Sequence, residues 1–143
     1  MHSKQIEQPT IKADICIIGA GSGGLSVAAA AAQLGLNTVL IEKAEMGGDC
    51  LNTGCVPSKA LLAAGKRAQM HRKEDIKGIK GHEPEIDFAA VKDHVLDTIK
   101  TIEPNDSQER FEGFGVTVIR AHARFTGPDT VQAGDQTIKA RHF

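Results

Sequence analysis

Two cysteines five positions apart, Cys50 and Cys55, lie in the segment Gly47-Gly48-Asp49-Cys50-Leu51-Asn52-Thr53-Gly54-Cys55-Val56-Pro57-Ser58-Lys59. Thiol chemistry runs through the thiolate, so a working cysteine needs surroundings that favour the ionised form. This segment reads as a glycine-rich loop that opens a helix over about residues 57–70, with Pro57 suited to the first turn. The start of a helix is partly positive and lowers a thiol pKa, which makes the pair a redox-active dithiol. The C-x-x-x-x-C spacing differs from the thioredoxin-type C-x-x-C and lacks the second ligand pair of a structural zinc site. Zinc held with His71 is therefore a minor alternative, and no metal site is expected.

The elements that must position this pair begin upstream. Residues 13–18 form an apolar, β-branched run of the kind a buried parallel strand requires, and it leads straight into Gly19-Ala20-Gly21-Ser22-Gly23-Gly24. A helix of tiny residues follows over 23–34, then a second strand at Thr38–Ile41 that ends in Glu42 and Lys43. In this context G-x-G-x-x-G has a physical reading: Gly19 makes the tight turn, Gly21 lets the backbone approach a pyrophosphate, and Gly24 allows helix and strand to pack closely. The helix start, from Ser22 and Gly23, then faces the phosphates. Glu42 follows Gly24 by 18 positions, close to the roughly 20 expected of the acid that bonds a ribose hydroxyl. The fingerprint alone fits FAD or NAD; the neighbouring dithiol decides for FAD.

The remaining chain supports this unit. Lys66, Arg67, His71, Arg72 and Lys73 form a basic cluster, read as a solvated helix end and interrupted by Glu74 and Asp75. Phe88, Val91, Val95, Ile99 and Ile102 recur at three- and four-residue steps, predicting an amphipathic helix capped by Asp87, with His94 on its surface. A further short helix is expected over 103–114, ended by Gly113 and Gly115. From Val116 the pattern turns to β, with strands at 116–120, 123–126, 131–133 and 137–140 and turns at Gly127-Pro128-Asp129 and Gly134-Asp135. Cys16, inside the first strand, is a small core residue.

Composition bounds the function. The chain has 143 residues, 41% hydrophobic, with 17 Lys plus Arg against 18 Asp plus Glu for a net charge of −1. That supports a globular fold with a real core and gives no electrostatic case for nucleic acid or an acidic membrane. Without Trp or Tyr there is no strong stacking platform for single-stranded nucleic acid. No apolar run reaches spanning length, and the polar stretch 1–12 is read as a tail without a signal-peptide core.

These motifs resemble the N-terminal part of the class I pyridine nucleotide-disulfide oxidoreductases, a family that includes dihydrolipoamide dehydrogenase, glutathione reductase, mercuric reductase and soluble transhydrogenase. Residues 15–43 resemble the family's FAD-binding βαβ unit and 47–62 its redox-active disulfide region; the wording of the second is nearer to the dihydrolipoamide dehydrogenase and mercuric reductase branches. The resemblance implies an α/β fold in which a Rossmann-like FAD-binding unit with a parallel sheet is joined by helices and a small antiparallel β meander, over residues 13–143. It implies electron passage from NAD(P)H through FAD to a Cys50–Cys55 disulfide. Cys50 takes the place of the interchange thiol that meets substrate, Cys55 that of the flavin-proximal thiol, and Lys59 that of the lysine near flavin N5, where positive charge favours the reduced anion. His122 and Ala123 fall where main-chain groups hold the adenine edge. The cofactor set is therefore Gly19, Gly21, Ser22, Gly23, Gly24, Glu42, Lys43, Gly48, Asp49, Cys50, Lys59, His122 and Ala123. Asp49 departs from the threonine many members carry there; a carboxylate does not suit a pyrophosphate, which leaves the amides of Gly47 and Gly48 for that contact.

By the same resemblance the FAD domain is incomplete at Phe143, and the NAD(P)H and dimerisation domains are absent. The expectation is a fragment, inactive alone, of a cytoplasmic homodimeric enzyme that acts on a small-molecule dithiol or disulfide, or on a metal ion. The competing readings are a non-catalytic nucleotide-binding module and a flavin monooxygenase, which would need no dithiol.

Overall fold

A computed structural model describes residues 9–73 and 77–143. Residues 1–8 of the expected tail, and Glu74 and Asp75 of the expected charge break, lie outside the described residues. In chain order the elements are β1 (Ile11–Ile18), α1 (Ser22–Gln33), β2 (Thr38–Ile41), α2 (Gly48–Asn52), α3 (Cys55–Arg72), α4 (Phe88–Ile102), a 3-10 turn (Glu103–Asp106), α5 (Gln108–Gly113), β3 (Thr117–Ile119), β4 (Ala123–Gly127), β5 (Thr130–Ala133) and β6 (Gln136–His142). The chain divides into two compact units, one of residues up to Gly48 together with Asn105–Phe143, the other Asp49–Pro104.

The first unit is a six-stranded sheet in the order β3-β2-β1-β6-β5-β4. β1 pairs in parallel with β2, Ile15 opposite Thr38, and with β6, Ile11 opposite Ile138. β3 pairs in parallel with β2, Val39 opposite Thr117. The β4-β5-β6 segment is antiparallel, turning at two-residue loops. The expected α/β class is thus observed, with two corrections. β3, read with the later strands as part of the meander, belongs to the parallel sheet: all four residues of β2 are buried, and a fully buried strand needs neighbours on both edges. β1 starts at Ile11, two residues inside the expected tail, because its first residues are paired by β6.

Two apolar clusters form its core. One gathers Ile17, Leu25, Ala28, Leu40, Phe111 and Val116, so it lies between strands and the helices α1 and α5. The other is built only from strand residues, including Cys16, Val39, Ile41, Ile119, Val131 and Ile138. Both helices end the same way. Gly35 (φ +74) and Gly115 (φ +87) follow them in the left-handed region. The next amides, Leu36 and Val116, reach back to the carbonyls of Ala31 and Phe111, closing Schellman motifs. The single helix expected over 103–114 is split, because Ser107 accepts from the Arg110 amide and caps a new start.

The second unit is helical. α3 and α4 pack on each other. α4 opens where expected, with the Asp87 carboxylate accepting from the Ala89 and Ala90 amides. The expected glycine loop before the redox helix is instead the short helix α2, and α3 begins at Cys55 rather than near Pro57. Among the described residues, no helix is long and apolar enough to cross a membrane.

Candidate functional site

The turn from β1 into α1 has the geometry its glycines predict. Gly19 has φ +103, which only glycine adopts freely. A Cβ on Gly24 would sit 1.9 Å from the Gly19 carbonyl oxygen, so the third glycine is what lets the helix lie on the turn. Beside Gly21 there is open space, with no atom beyond its chain neighbours within 4 Å of where a Cβ would stand. Gly21 is also the N-cap of α1, and no side chain caps that helix start. The amides of Ser22, Gly23 and Gly24 thus open a twelve-residue helix without a capping side chain, a helix start of the kind that suits an anion.

Gly47 and Gly48 behave otherwise. Their amides donate to the carbonyls of Ala20 (2.9 Å) and Glu45 (3.3 Å), so the expectation that they serve a phosphate is corrected. Gly48 (φ +58) instead packs on the fingerprint: a Cβ there would lie 2.8 Å from the Gly21 Cα.

At the end of β2, Glu42 is 8% exposed. Its two oxygens accept from the amides of Ala20 (2.6 Å) and Ala44 (2.7 Å). Burial pushes its carboxyl up, but the Ala20, Ala44 and Lys43 amides and the charge of Arg120 outweigh this and hold it below the ordinary value. With three amides around it, the carboxylate keeps lone-pair capacity for a further donor. Glu42 lines a cavity of about 310 Å³ together with Ile18, Gly19, Ile41, Lys43, Ala121, His122 and Ala123. Residues read separately from the first glycine turn, the β2 acid and the His122-Ala123 pair therefore share one recess. What the sequence reading missed is the inward duty of Glu42 and the presence of Arg120, whose guanidinium Nη2 donates to the Ala44 carbonyl.

In the helical unit, Cys50 and Cys55 are joined as a disulfide with Cα atoms 4.8 Å apart. With both sulfurs bonded to each other, neither offers zinc a thiolate; His71 meets the ring of His82 instead, centroids 5.3 Å apart. Cys55 is the first residue of α3, an 18-residue helix with Gly54 as its N-cap. Gly54 is itself required, since a Cβ would fall 2.7 Å from the Asp49 carbonyl oxygen; its place between the cysteines was the available clue. Lys59 stands one helical turn beyond Cys55, on the same face and exposed. Asp49 occupies the first turn of α2, where a carboxylate suits the helix dipole. The third cysteine contrasts with the pair: Cys16 is fully buried, and burial pushes its thiol up to about 11. His94 is exposed on α4, as expected, and Arg72 of the basic cluster forms a forked ion pair with Glu83 at 2.6–2.9 Å.

Comparison with known proteins finds relatives of this chain. The chain is 35% identical over 122 residues to dihydrolipoyl dehydrogenase of Geobacillus stearothermophilus, covering 85% of this chain and 26% of that protein. It is 36% identical over 126 residues to dihydrolipoyl dehydrogenase of Bacillus subtilis, covering 88% and 27%. It thus spans about a quarter of the length of these relatives. Among solved structures, the Cu(II) complex of the HOCl-induced flavoprotein disulfide reductase RclA from Escherichia coli superposes with a TM-score of 0.68 at 23% identity, over 88% of this chain and 26% of that one, a likeness of fold. Residues 13–143 match the family described as pyridine nucleotide-disulphide oxidoreductase, and this chain belongs to it.

Proposed function

We propose that this chain is the N-terminal part of an FAD-dependent, NAD(P)H-linked disulfide oxidoreductase whose working group is the Cys50–Cys55 bond. The observation that carries the proposal is that disulfide, placed at the start of α3 in a member of this family. The β1–α1 turn fits the dinucleotide: open space beside Gly21, an α1 start without a side-chain cap, and Glu42, Lys43, His122 and Ala123 around one recess. Gly19 and Gly24 shape that turn, the amides of Ser22 and Gly23 meet the pyrophosphate, and Glu42 accepts from a ribose hydroxyl. Lys59 supplies positive charge near the flavin ring. Asp49 and Gly48 support the segment that carries Cys50. When bound, FAD supplies a two-electron carrier between the nicotinamide and the disulfide.

Reduction of the Cys50–Cys55 bond takes two electrons and two protons and gives two thiols. Cys55 at the helix start holds the more stable thiolate, and Cys50 is left as the thiol that exchanges with substrate. The relatives named dihydrolipoyl dehydrogenase favour a small dithiol or disulfide as that substrate over a metal ion. In the full-length enzyme a homodimer and a cytoplasmic location accompany this reading, since a catalytic disulfide works in a reducing compartment.

The test is an absorbance spectrum of the purified chain, supplied with FAD, before and after stoichiometric dithionite, with the bound molecule identified by mass. A flavin spectrum that gains a long-wavelength band on reduction, and loses it in Cys55→Ser, is the expected result. A chain that takes up a nucleotide other than a flavin, with a disulfide inert to reduction, overturns the proposal in favour of a non-catalytic binding module.

A further inference from the structure

We infer that Arg120 is a positioning residue: its guanidinium ties the turn after β2 to the end of β3 and fixes the carboxylate of Glu42 at the wall of the nucleotide recess. The recess has two walls, the turn that carries Glu42 and Lys43, and the segment Ala121-His122-Ala123. Two contacts join them. The Glu42 amide donates to the Ile119 carbonyl at 2.9 Å, and Arg120 Nη2 donates to the Ala44 carbonyl, 76 residues away in sequence. The first contact ends the β2–β3 ladder, so beyond it the side chain of Arg120 holds the separating chains together.

The same guanidinium acts on charge. Ala44 is the residue whose amide donates to Glu42 Oε1, so one peptide stretch is held by Arg120 at its carbonyl and holds Glu42 by its amide. The positive charge of Arg120 also favours the ionised carboxylate. The other charged or titratable side chains lining the recess are Lys43 and His122; β1 contributes only Ile18, the turn after it Gly19, β2 Ile41, and the first turn of α1 carries no acid. Loss of Arg120 therefore removes a hydrogen bond that shapes the turn and a cation that keeps its acid ready to accept.

The consequence for a ligand rests on the nucleotide reading above; the effect on Glu42 does not. The experiment compares the chain with Arg120→Gln and Arg120→Lys, following the Glu42 side-chain carboxyl by ¹³C NMR titration and ADP binding by calorimetry. Arg120→Gln is expected to move the Glu42 midpoint upward and to weaken ADP roughly three- to ten-fold, as loss of a charge-assisted contact implies. The weakening should grow as pH falls, because Glu42 then protonates sooner. Arg120→Lys, which keeps the charge, should return the midpoint toward that of the parent chain. If the midpoint is the same in all three proteins while the parent binds ADP, the role of Arg120 is overturned and the nucleotide reading stands. If the midpoint moves as expected and no protein binds ADP or FAD, the role of Arg120 stands and the nucleotide reading falls.

Discussion

The sheet unit and the helical unit of this chain carry equally specific motifs, yet they are held by different forces. In the sheet unit Leu40, Val131 and Ile138 are fully buried, and two apolar clusters flank the strands. In residues 49–104, only Leu51 and Ala60 are buried among the described residues, and α4 buries none of its apolar side chains. The glycine turn is thus fixed by burial and a continuous ladder, whereas the segment of Cys50 and Cys55 is fixed by a covalent bond, with no side-chain cap at the start of α3. In the function proposed above, the bond that breaks and re-forms sits on the second kind of support.

The sharpest way to break this contrast is a matched truncation. Leu40→Ala removes a side chain with no exposure and should cost about 3 kcal/mol. Leu62→Ala removes one that is 71% exposed and should cost under about 0.5 kcal/mol. Urea midpoints of the two variants decide it, and a Leu62→Ala cost close to that of Leu40→Ala would mean that the helical unit has a core of its own.

Glu42→Ala comes next. It strips the buried Ala20 amide and the part-buried Ala44 amide of their acceptor, at about 2 kcal/mol, and adds a pH signature. The folded carboxyl ionises below its ordinary value of 4.5, so the group stabilises fully above that value and loses the contribution as pH falls through the folded pKa. Stability of the parent chain should therefore drop on acidification below about 4.5 by more than that of Glu42→Gln. Parallel acid profiles would show that the amide contacts do not hold Glu42 in solution.

What could be read in advance follows the same divide. β2, α1 and the Asp87 cap were legible because periodicity, tiny residues and a capping aspartate act locally. The parallel pairing of β6 with β1 was not, since Ile138 and Ile11 are joined by a contact across the whole chain. The glycine turn of Gly19 and Gly24 was legible from spacing, while the use of the Gly47 and Gly48 amides was not, because their acceptors Ala20 and Glu45 are backbone carbonyls without a residue code. Arg120 escaped for the same reason: it acts on a carbonyl, Ala44, that any residue would supply. Cys55 as the first residue of α3 was hidden by Pro57, which suits a first turn equally well as its third residue.

Reduction of the Cys50–Cys55 bond tests the covalent half of the comparison. The bond spans a separation of five residues, and loop closure of that size contributes about 2 kcal/mol. Hydrogen exchange should accelerate in α2 and the first turns of α3 on reduction, with β1, β2 and β6 unchanged. Faster exchange throughout the sheet unit would contradict the separation of the two supports.

The smallest effect concerns the cap on which α4 depends. Since α4 buries none of its residues, its start is set by local bonds, and Asp87→Ala should cost about 1 kcal/mol by freeing two amides. Asp87→Asn keeps a side-chain oxygen and should recover most of that loss. The readout is exchange at the Ala89 and Ala90 amides, which should quicken in the alanine variant and stay slow in the asparagine one. Were both variants as protected as the parent, packing rather than the cap would be holding the start of α4, and the helical unit would resemble the sheet unit more than its burial shows.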